Sequence, residues 1–524
     1  MSDAGSVNAG HLSPDGRWRW DGTAWKPATD SALPSRPAWA NLKLRSRASW
    51  YSLVSVIAVG LVADQALRVG VFGLAASLTF VTAAVVLILA GRLERTESTL
   101  LIALAGMFAV WFTLRASAWL LWPDLLVSAA LMGLAASFAV RGSLSDLGIA
   151  ELAARTLYAL LHAFAGFAFV GRPIAEARGR FGAAAPLARG LVIAAPIAVL
   201  IGVLLASADP VFASFFTLNF DFGQLTLDAV FVLAGSLWAA GLLRLVASEP
   251  VERVDGPAWR LGTVESLVVL AVLDTVFAAF ALAQVLAATG SAGETLRSAG
   301  VTYADYARSG FFQLLWVSCI TLVVLVLFSR ITGFSSRKNR LAFVILAEAA
   351  IALTLLIVLV AVDRLSLYEQ AYGFTMLRLY SHIFAAWIAV VFLLFAADLA
   401  GVWRRRRWFV GAMSATALAL LLALNFVNPE AMVVALNTSH AQSAHKIDTK
   451  YLAELSSDAT PALLNSRHLL DSPLRDQVDA AACAGPRSYS PGLPALQLGR
   501  GRSSGGTAGR LLRQPSQALS AMDD

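Results

Sequence analysis

Leu341-Ala-Phe-Val-Ile-Leu-Ala-Glu348-Ala-Ala-Ile-Ala-Leu-Thr354-Leu-Leu-Ile-Val-Leu-Val-Ala-Val362 is a run of 22 residues with one ionisable side chain. As a helix it is about 33 Å long, enough for a hydrocarbon core of about 30 Å. Arg337, Lys338 and Arg340 precede it, and Asp363 and Arg364 follow it, so the polar boundary is sharp at both ends. Runs of the same kind recur at approximately 50–67, 71–90, 99–115, 117–140, 190–208, 225–247, 264–287, 311–329, 379–401 and 408–427. The chain is 58% hydrophobic and only 14% charged, against roughly a quarter charged in ordinary soluble domains. Its charges cluster between the runs. These observations predict an all-α fold: a polytopic transmembrane helical bundle of about 11 spans.

Four regions follow. Residues 1–49 form a polar segment, 50–427 the multi-span domain, 428–484 a helical segment on the outer face, and 485–524 a tail rich in Gly, Ser, Pro and Arg that reads as disordered. In the first region, His11 to Trp25 contains Asp21-Gly22, a type I′ turn signal, with Trp18 and Trp20 before it and Trp25 after it. This predicts a small N-terminal β-hairpin with an aromatic face. It resembles short Trp-Asp-Gly elements near the cytoplasmic termini of bacterial membrane proteins, and Trp18, Trp20 and Trp25 are candidates for contact with a protein partner. A sticky linker is the plainer reading. No cleavable leader is visible, and the run from Trp50 reads as a signal anchor. After the last span, Asn428-Pro429 is a cap followed by a first-turn proline, and Thr460-Pro461 repeats the signal. Between them Ile447, Tyr451, Leu452 and Leu455 fall on one helical face.

Basic residues orient the bundle. The segment 143–171 carries Asp146, Glu151, Arg155 and His162, and either crosses or lies at the interface. If it does not cross and the N-terminus is cytoplasmic, the inner loops hold about 25 Lys and Arg against about six outside. If it crosses as a twelfth span, every later loop changes side and the bias vanishes. The positive-inside rule therefore favours eleven spans, N-terminus in and C-terminus out, in a bacterial plasma membrane. The net charge of +7 fits basic loops that meet anionic lipid, so the bilayer is the expected partner. No nucleic-acid module is present.

The sequence holds no nucleotide, metal or nucleophile motif, so no cofactor is expected. Cys319 and Cys483 make no redox or metal pair. Among acids in the spans, Asp64 and Asp228 are near span ends, Asp124 and Glu348 a turn or two in, and Glu265 near an inner end within reach of Arg244. Only Asp274 lies near mid-bilayer. An acid there marks either a proton or cation pathway or a carboxyl bonded to a neighbouring helix.

The remaining signals sit at span boundaries. Ser207-Ala208-Asp209-Pro210-x-Phe212 closes one span. Thr302-Tyr303-Ala-Asp305-Tyr306-Ala-Arg308 opens another. Asp363-Arg364 to Arg378, containing Tyr368-Glu369-Gln-Ala-Tyr372-Gly373, joins two more. On a helix Asp305 and Arg308 are neighbours, and Arg364, Tyr368 and Tyr372 form a stripe. These elements resemble those of the bacterial membrane proteins grouped as domain of unknown function 4173. So does a final element comprising Asn428-Pro429, Asn437, Asp448, Tyr451-Leu452, Leu455-Ser456, Asp458-Ala459 and Pro461. The resemblance covers roughly residues 100–470. It departs near Ser439–His440, where an arginine is usual, which argues against an anion site there. It implies membership and no activity.

In the favoured topology, Asp209, Tyr303, Asp305, Tyr306, Arg308, Arg364, Tyr368, Glu369, Tyr372, Arg378 and Tyr451 share the outer face. They read as one polar cluster or as separate interfacial anchors. The functional expectation is a non-catalytic regulatory, sensor or scaffold component. The alternatives are a secondary transporter using Asp274 and a membrane-embedded enzyme acting on a lipid or envelope substrate.

Overall fold

The computed structural model describes residues 18–20, 25–27, 44–68, 72–91, 93, 96–139, 148–173, 201, 205, 222–248, 260–286, 303–402, 408–444 and 447–484. Ten helices among them are long and apolar enough to cross a membrane. These are α1 (Trp50–Arg68), α2 (Leu74–Gly91), α3 (Thr96–Leu114), α4 (Ala118–Ser137), α7 (Phe222–Val246), α8 (Thr263–Leu286), α9 (Tyr303–Ile331), α10 (Arg337–Tyr372), α11 (Met376–Ala400) and α12 (Trp408–Val427). Two shorter helices, α5 (Ile149–Phe164) and α6 (Gly166–Val170), come between α4 and α7. Four follow the last span: α13 (Pro429–Ala444), α14 (Thr449–Glu454), α15 (Thr460–Ser466) and α16 (Ser472–Ala484). Ten of the eleven expected spans are thus found, and the eleventh, 190–208, lies outside the described residues except at 201 and 205. No span has more than half of its most apolar stretch buried against described helices. Side chains such as Leu89, Leu126 and Val264 point outward, as a lipid solvent allows and water does not.

The spans associate through close backbone contact. With lipid as apolar as the helix surface, small residues that let backbones approach become the interface. α1 and α7 run antiparallel with Gly60 against Val232 and Ser236, and Gly235 against Ala63. The Ser236 hydroxyl donates across the seam to the Val56 carbonyl at 3.3 Å. At one end of this pair the Arg45 Nε donates to the Ser248 carbonyl at 3.1 Å. At the other, Arg68 lies between Asp64, at 2.9 Å, and Asp228.

This pairing fixes faces. We call the face where α1 starts basal and the opposite one the cap face. α4 ends basally, whereas α7 starts on the cap face beside the end of α1. The chain between α4 and α7 therefore changes face. A twelve-span chain, in which 143–171 and 190–208 both cross, would leave α7 starting on the basal face instead. α5 meets the basal ends of its neighbours. Arg155 forms an ion pair with Glu151 at 2.8 Å and donates to the Ser137 carbonyl at 3.1 Å. His162 Nδ1 lies 3.2 Å from the Arg244 guanidinium, and Gly166 packs on Ala240 and Gly241. Arg244 accordingly does not pair with Glu265, as the sequence suggests. Glu265 turns back to accept the Gly262 amide at 2.8 Å and cap its own helix.

At the N-terminus, Trp18–Trp20 (β1) and Trp25–Pro27 (β2) pair antiparallel with Trp20 opposite Trp25. Four residues link them, so Asp21-Gly22 is not the centre of a two-residue turn, which would pair Trp20 with Thr23. Two three-residue segments do not make the folded hairpin module that the sequence suggests.

The α1–α7 seam makes a direct prediction. Gly235→Ala places a methyl group against Ala63 and should lower stability by about 1–3 kcal/mol, the usual cost of overpacking. Gly106→Ala, where the added carbon meets nothing within 4 Å, should be neutral or slightly stabilising. Thermal unfolding of the two variants in the same detergent checks the contrast.

Candidate functional site

The C-terminal helices close the cap face of the bundle. Val433, Val434, Leu452, Leu455, Leu463 and Val478 bury their side chains together, and Met376 and Leu379 of α11 extend into the same core. Ile447 and Tyr451 pack against it, on the face their spacing predicts.

Polar side chains then tie this cap to helix ends. The buried Asp458 accepts the Ala116 and Ser117 amides at 2.9 and 3.0 Å, at the start of α4. A helix start exposes amides with no partner in the helix, and a carboxylate there also meets the positive end of the helix dipole. Asn428 ends α12 at a φ of 60°. Its Oδ1 accepts the Ala431 amide at 3.3 Å, the expected cap of α13, while its Nδ2 donates to the Asp458 carbonyl at 2.9 Å. The Tyr451 hydroxyl accepts the Met376 amide at 2.6 Å at the start of α11. Asn437 forms a two-point clamp on Phe374, accepting its amide at 2.9 Å and donating to its carbonyl at 2.8 Å. The clamp needs Gly373, whose φ is 74° and where an added Cβ would lie 2.7 Å from Asn437 Oδ1.

Beneath the cap, Asn425 donates to Asp124 at 2.9 Å. Arg115 donates to the Asn425 and Phe426 carbonyls at the end of α12 and lies 5.6 Å from the centre of the Trp111 ring. Glu430 is buried and accepts the Ser456 hydroxyl at 2.6 Å. Burial pushes its carboxyl above the usual range, and hydrogen bonds from serine offset only part of this. Burial also raises the Tyr451 hydroxyl.

Asp209 lies outside the described residues. Tyr303, Asp305, Tyr306 and Arg308 occupy the first turns of α9, with side chains outside the description. Gly310, just beyond them, packs directly on the Arg364 guanidinium, so the α9 start and the α10 end share the cap face. Arg364 is buried and donates to Gln284 of α8 at 3.3 Å. The Tyr368 and Tyr372 rings are 4.8 Å apart. Arg378 lies over Tyr368 at 4.3 Å and donates to the Gly373 and Tyr372 carbonyls. Glu369 is buried 3.3 Å from His382 Nδ1, whose Nε2 is 3.3 Å from the Ser366 hydroxyl. This serine–histidine–glutamate order resembles a nucleophile relay, but the Ser366 hydroxyl lies 2.9 Å from the Val362 carbonyl of its own helix, the ordinary position of a helical serine. Asp274, in the middle of α8, has both carboxylate oxygens shielded and unbonded by any described residue. No group of three metal-ligating side chains occurs among the described residues.

Arg115, Asn425, Glu430, Ser366 and His382 escaped the sequence reading. Their partners lie on other helices or are backbone carbonyls, which leave no motif. Asp458 carried a signal in the final family-like element, though not its role.

The fold is that of a multi-pass helical membrane protein with a helical cap tied to one end. The family model for a domain of unknown function, DUF4153, matches residues 102–466, more than two thirds of the chain, and the protein belongs to that family. The number 4173 suggested by the motifs is therefore not the one found. The quoted elements identify a long multi-span domain of unknown function without separating one such family from another. No curated protein and no solved structure matches the chain.

Two outcomes test the cap. Asp458→Ala leaves two buried amides without an acceptor and should cost about 1–3 kcal/mol in thermal or denaturant unfolding; Asp458→Asn, which keeps an acceptor, should cost less. Glu430 holds its proton more tightly folded than unfolded. Its contribution to stability is therefore complete below its ordinary value of 4.5 and is lost as pH rises through the higher folded value. Glu430→Gln should flatten that decline in melting temperature measured against pH.

Proposed function

We propose that this protein is a non-catalytic component of a bacterial plasma membrane, a scaffold or regulatory subunit that presents its capped face and its N-terminal Trp segment to a protein partner. The observation that carries this reading is how the motif residues are used. Asp458, Asn437, Asn428 and Tyr451 place their polar atoms on backbone groups at helix ends. Residues used in that way build a surface and have little capacity left for chemistry. Glu369 is likewise paired with His382. We place the N-terminus in the cytoplasm and the cap outside, because the basic loops gather on the basal face. Trp18, Trp20 and Trp25 then face cytoplasmic partners, and α13–α16 face the envelope.

A second reading rests on Asp274. A carboxyl in mid-span with both oxygens unbonded by described residues is the kind of group that carries protons or cations in transporters.

Affinity capture from native membranes tests the first reading. The full chain should recover one reproducible partner, and either the triple substitution of Trp18, Trp20 and Trp25 by Ala or Asp458→Ala should reduce its recovery several-fold. Capture of no partner by any version contradicts the scaffold reading. Asp274→Asn should leave proton-coupled uptake into membrane vesicles unchanged; abolished uptake with normal folding would establish the transporter reading instead.

A further inference from the structure

A cleft of about 270 Å³ opens among the start of α9, the end of α10 and the start of α11. Its wall is apolar and aromatic, formed by Phe311, Phe312, Leu365, Tyr368 and Leu377, and Arg378 contributes the one charged side chain among its described lining residues. Phe312 and Leu377 are about half exposed, so the wall continues onto the surface that faces lipid. α11 begins at Met376, which puts Arg378 in the first turn of a span, at the depth of phospholipid headgroups.

No described carboxylate matches the charge on Arg378. Its Nη1 is directed to the Tyr372 and Gly373 carbonyls, and the guanidinium plane rests on Tyr368. Among the described residues no carboxylate forms an ion pair with it, and no hydrogen bond engages its Nε or Nη2. Those donors form a fork suited to two oxygens of one phosphate. Stacking on Tyr368 and the carbonyl contacts fix the fork in place, so little side-chain freedom is lost when an anion binds. A soluble anion would leave the apolar wall empty, whereas a lipid fills both parts.

We propose that this cleft is a binding site for one anionic phospholipid of the surrounding bilayer, with the phosphate on Arg378 and an acyl chain along Phe311, Phe312, Leu365 and Leu377.

The test uses the full-length protein in nanodiscs containing phosphatidylglycerol and phosphatidylcholine in equal amounts, with retained lipid counted by native mass spectrometry after gentle release. One phosphatidylglycerol should stay bound in preference to phosphatidylcholine by about fivefold, the effect of one basic residue near an anionic surface. Arg378→Ala should abolish the preference. Because that change also frees the Gly373 carbonyl, two other variants are needed. Arg378→Lys keeps the charge but loses the fork and should weaken the preference. Leu377→Trp leaves Arg378 intact and should lower retention by filling the cleft. Equal retention of the two lipids by the wild type, or wild-type retention by both Arg378→Ala and Leu377→Trp, overturns the proposal. Displacement of the bound lipid by inorganic phosphate at millimolar concentration also overturns it, because the site would then recognise a free anion.

Discussion

The carboxylate of Asp458 on the Ala116 and Ser117 amides is the contact on which the cap face depends. The start of α4 lies at the end of a membrane span, where water is scarce and its first amides lack partners within the helix. A side chain more than three hundred residues later in the chain supplies the acceptor. That contact sets the position of the α14–α15 connection. Asn428 then links the Asp458 carbonyl to the end of α12, Tyr451 reaches the start of α11, and Asn437 holds the α10–α11 turn. One C-terminal segment thereby satisfies backbone groups at several helix ends. The buried apolar side chains between these ties exclude water and raise the cost of breaking any of them.

The membrane-spanning part has a different organisation. There the seams are made by small residues, and Gly60, Ala63, Gly235 and Ser236 allow α1 and α7 to approach more closely than larger side chains would. The α1–α7 pair brings residues far apart in sequence into one antiparallel unit and thereby determines the face on which each later span begins. α5 joins this unit through Arg155 and His162 at the basal ends of α4 and α7. Its Arg155, costly if left alone in an apolar setting, is matched with Glu151 and the Ser137 carbonyl, and the His162 ring nitrogen meets the Arg244 guanidinium.

The spans were legible because a twenty-residue apolar run has one physical solution in a bilayer. Most ends agree with the sequence to within a few residues, but α9 starts eight residues before and α10 ends ten residues after the apolar run, because the polar boundary segments continue the helices. The cap at Asn428 was also legible, since a cap is a local matter of a side chain and its next turn. Thr460, which carries the same signal, is instead the first residue of α15, with Ala459 at the cap position and no side-chain cap bond. Partnerships across the chain were not. Arg115 reads as an outer-loop arginine, and only the folded chain shows it on the Asn425 carbonyl. Glu265 and Arg244 have matching charge and depth but different partners, because Glu265 finds an amide three residues away at no cost in chain ordering. Tyr451 reads from sequence as a member of a polar cluster, whereas its hydroxyl closes a helix end. The Asp21-Gly22 signal does not yield the hairpin module it suggests, since turn propensity is weak where the paired segments are only three residues long.

The motif residues of the final segment hold a fixed cap on the bundle, and amide hydrogen exchange of the wild-type protein in nanodiscs is the decisive measurement. The amides of Ala116, Ser117, Phe374 and Met376, all at helix starts or in a turn, should exchange as slowly as those inside the neighbouring spans. Exchange at the rate of an open loop at all four positions would contradict a fixed cap.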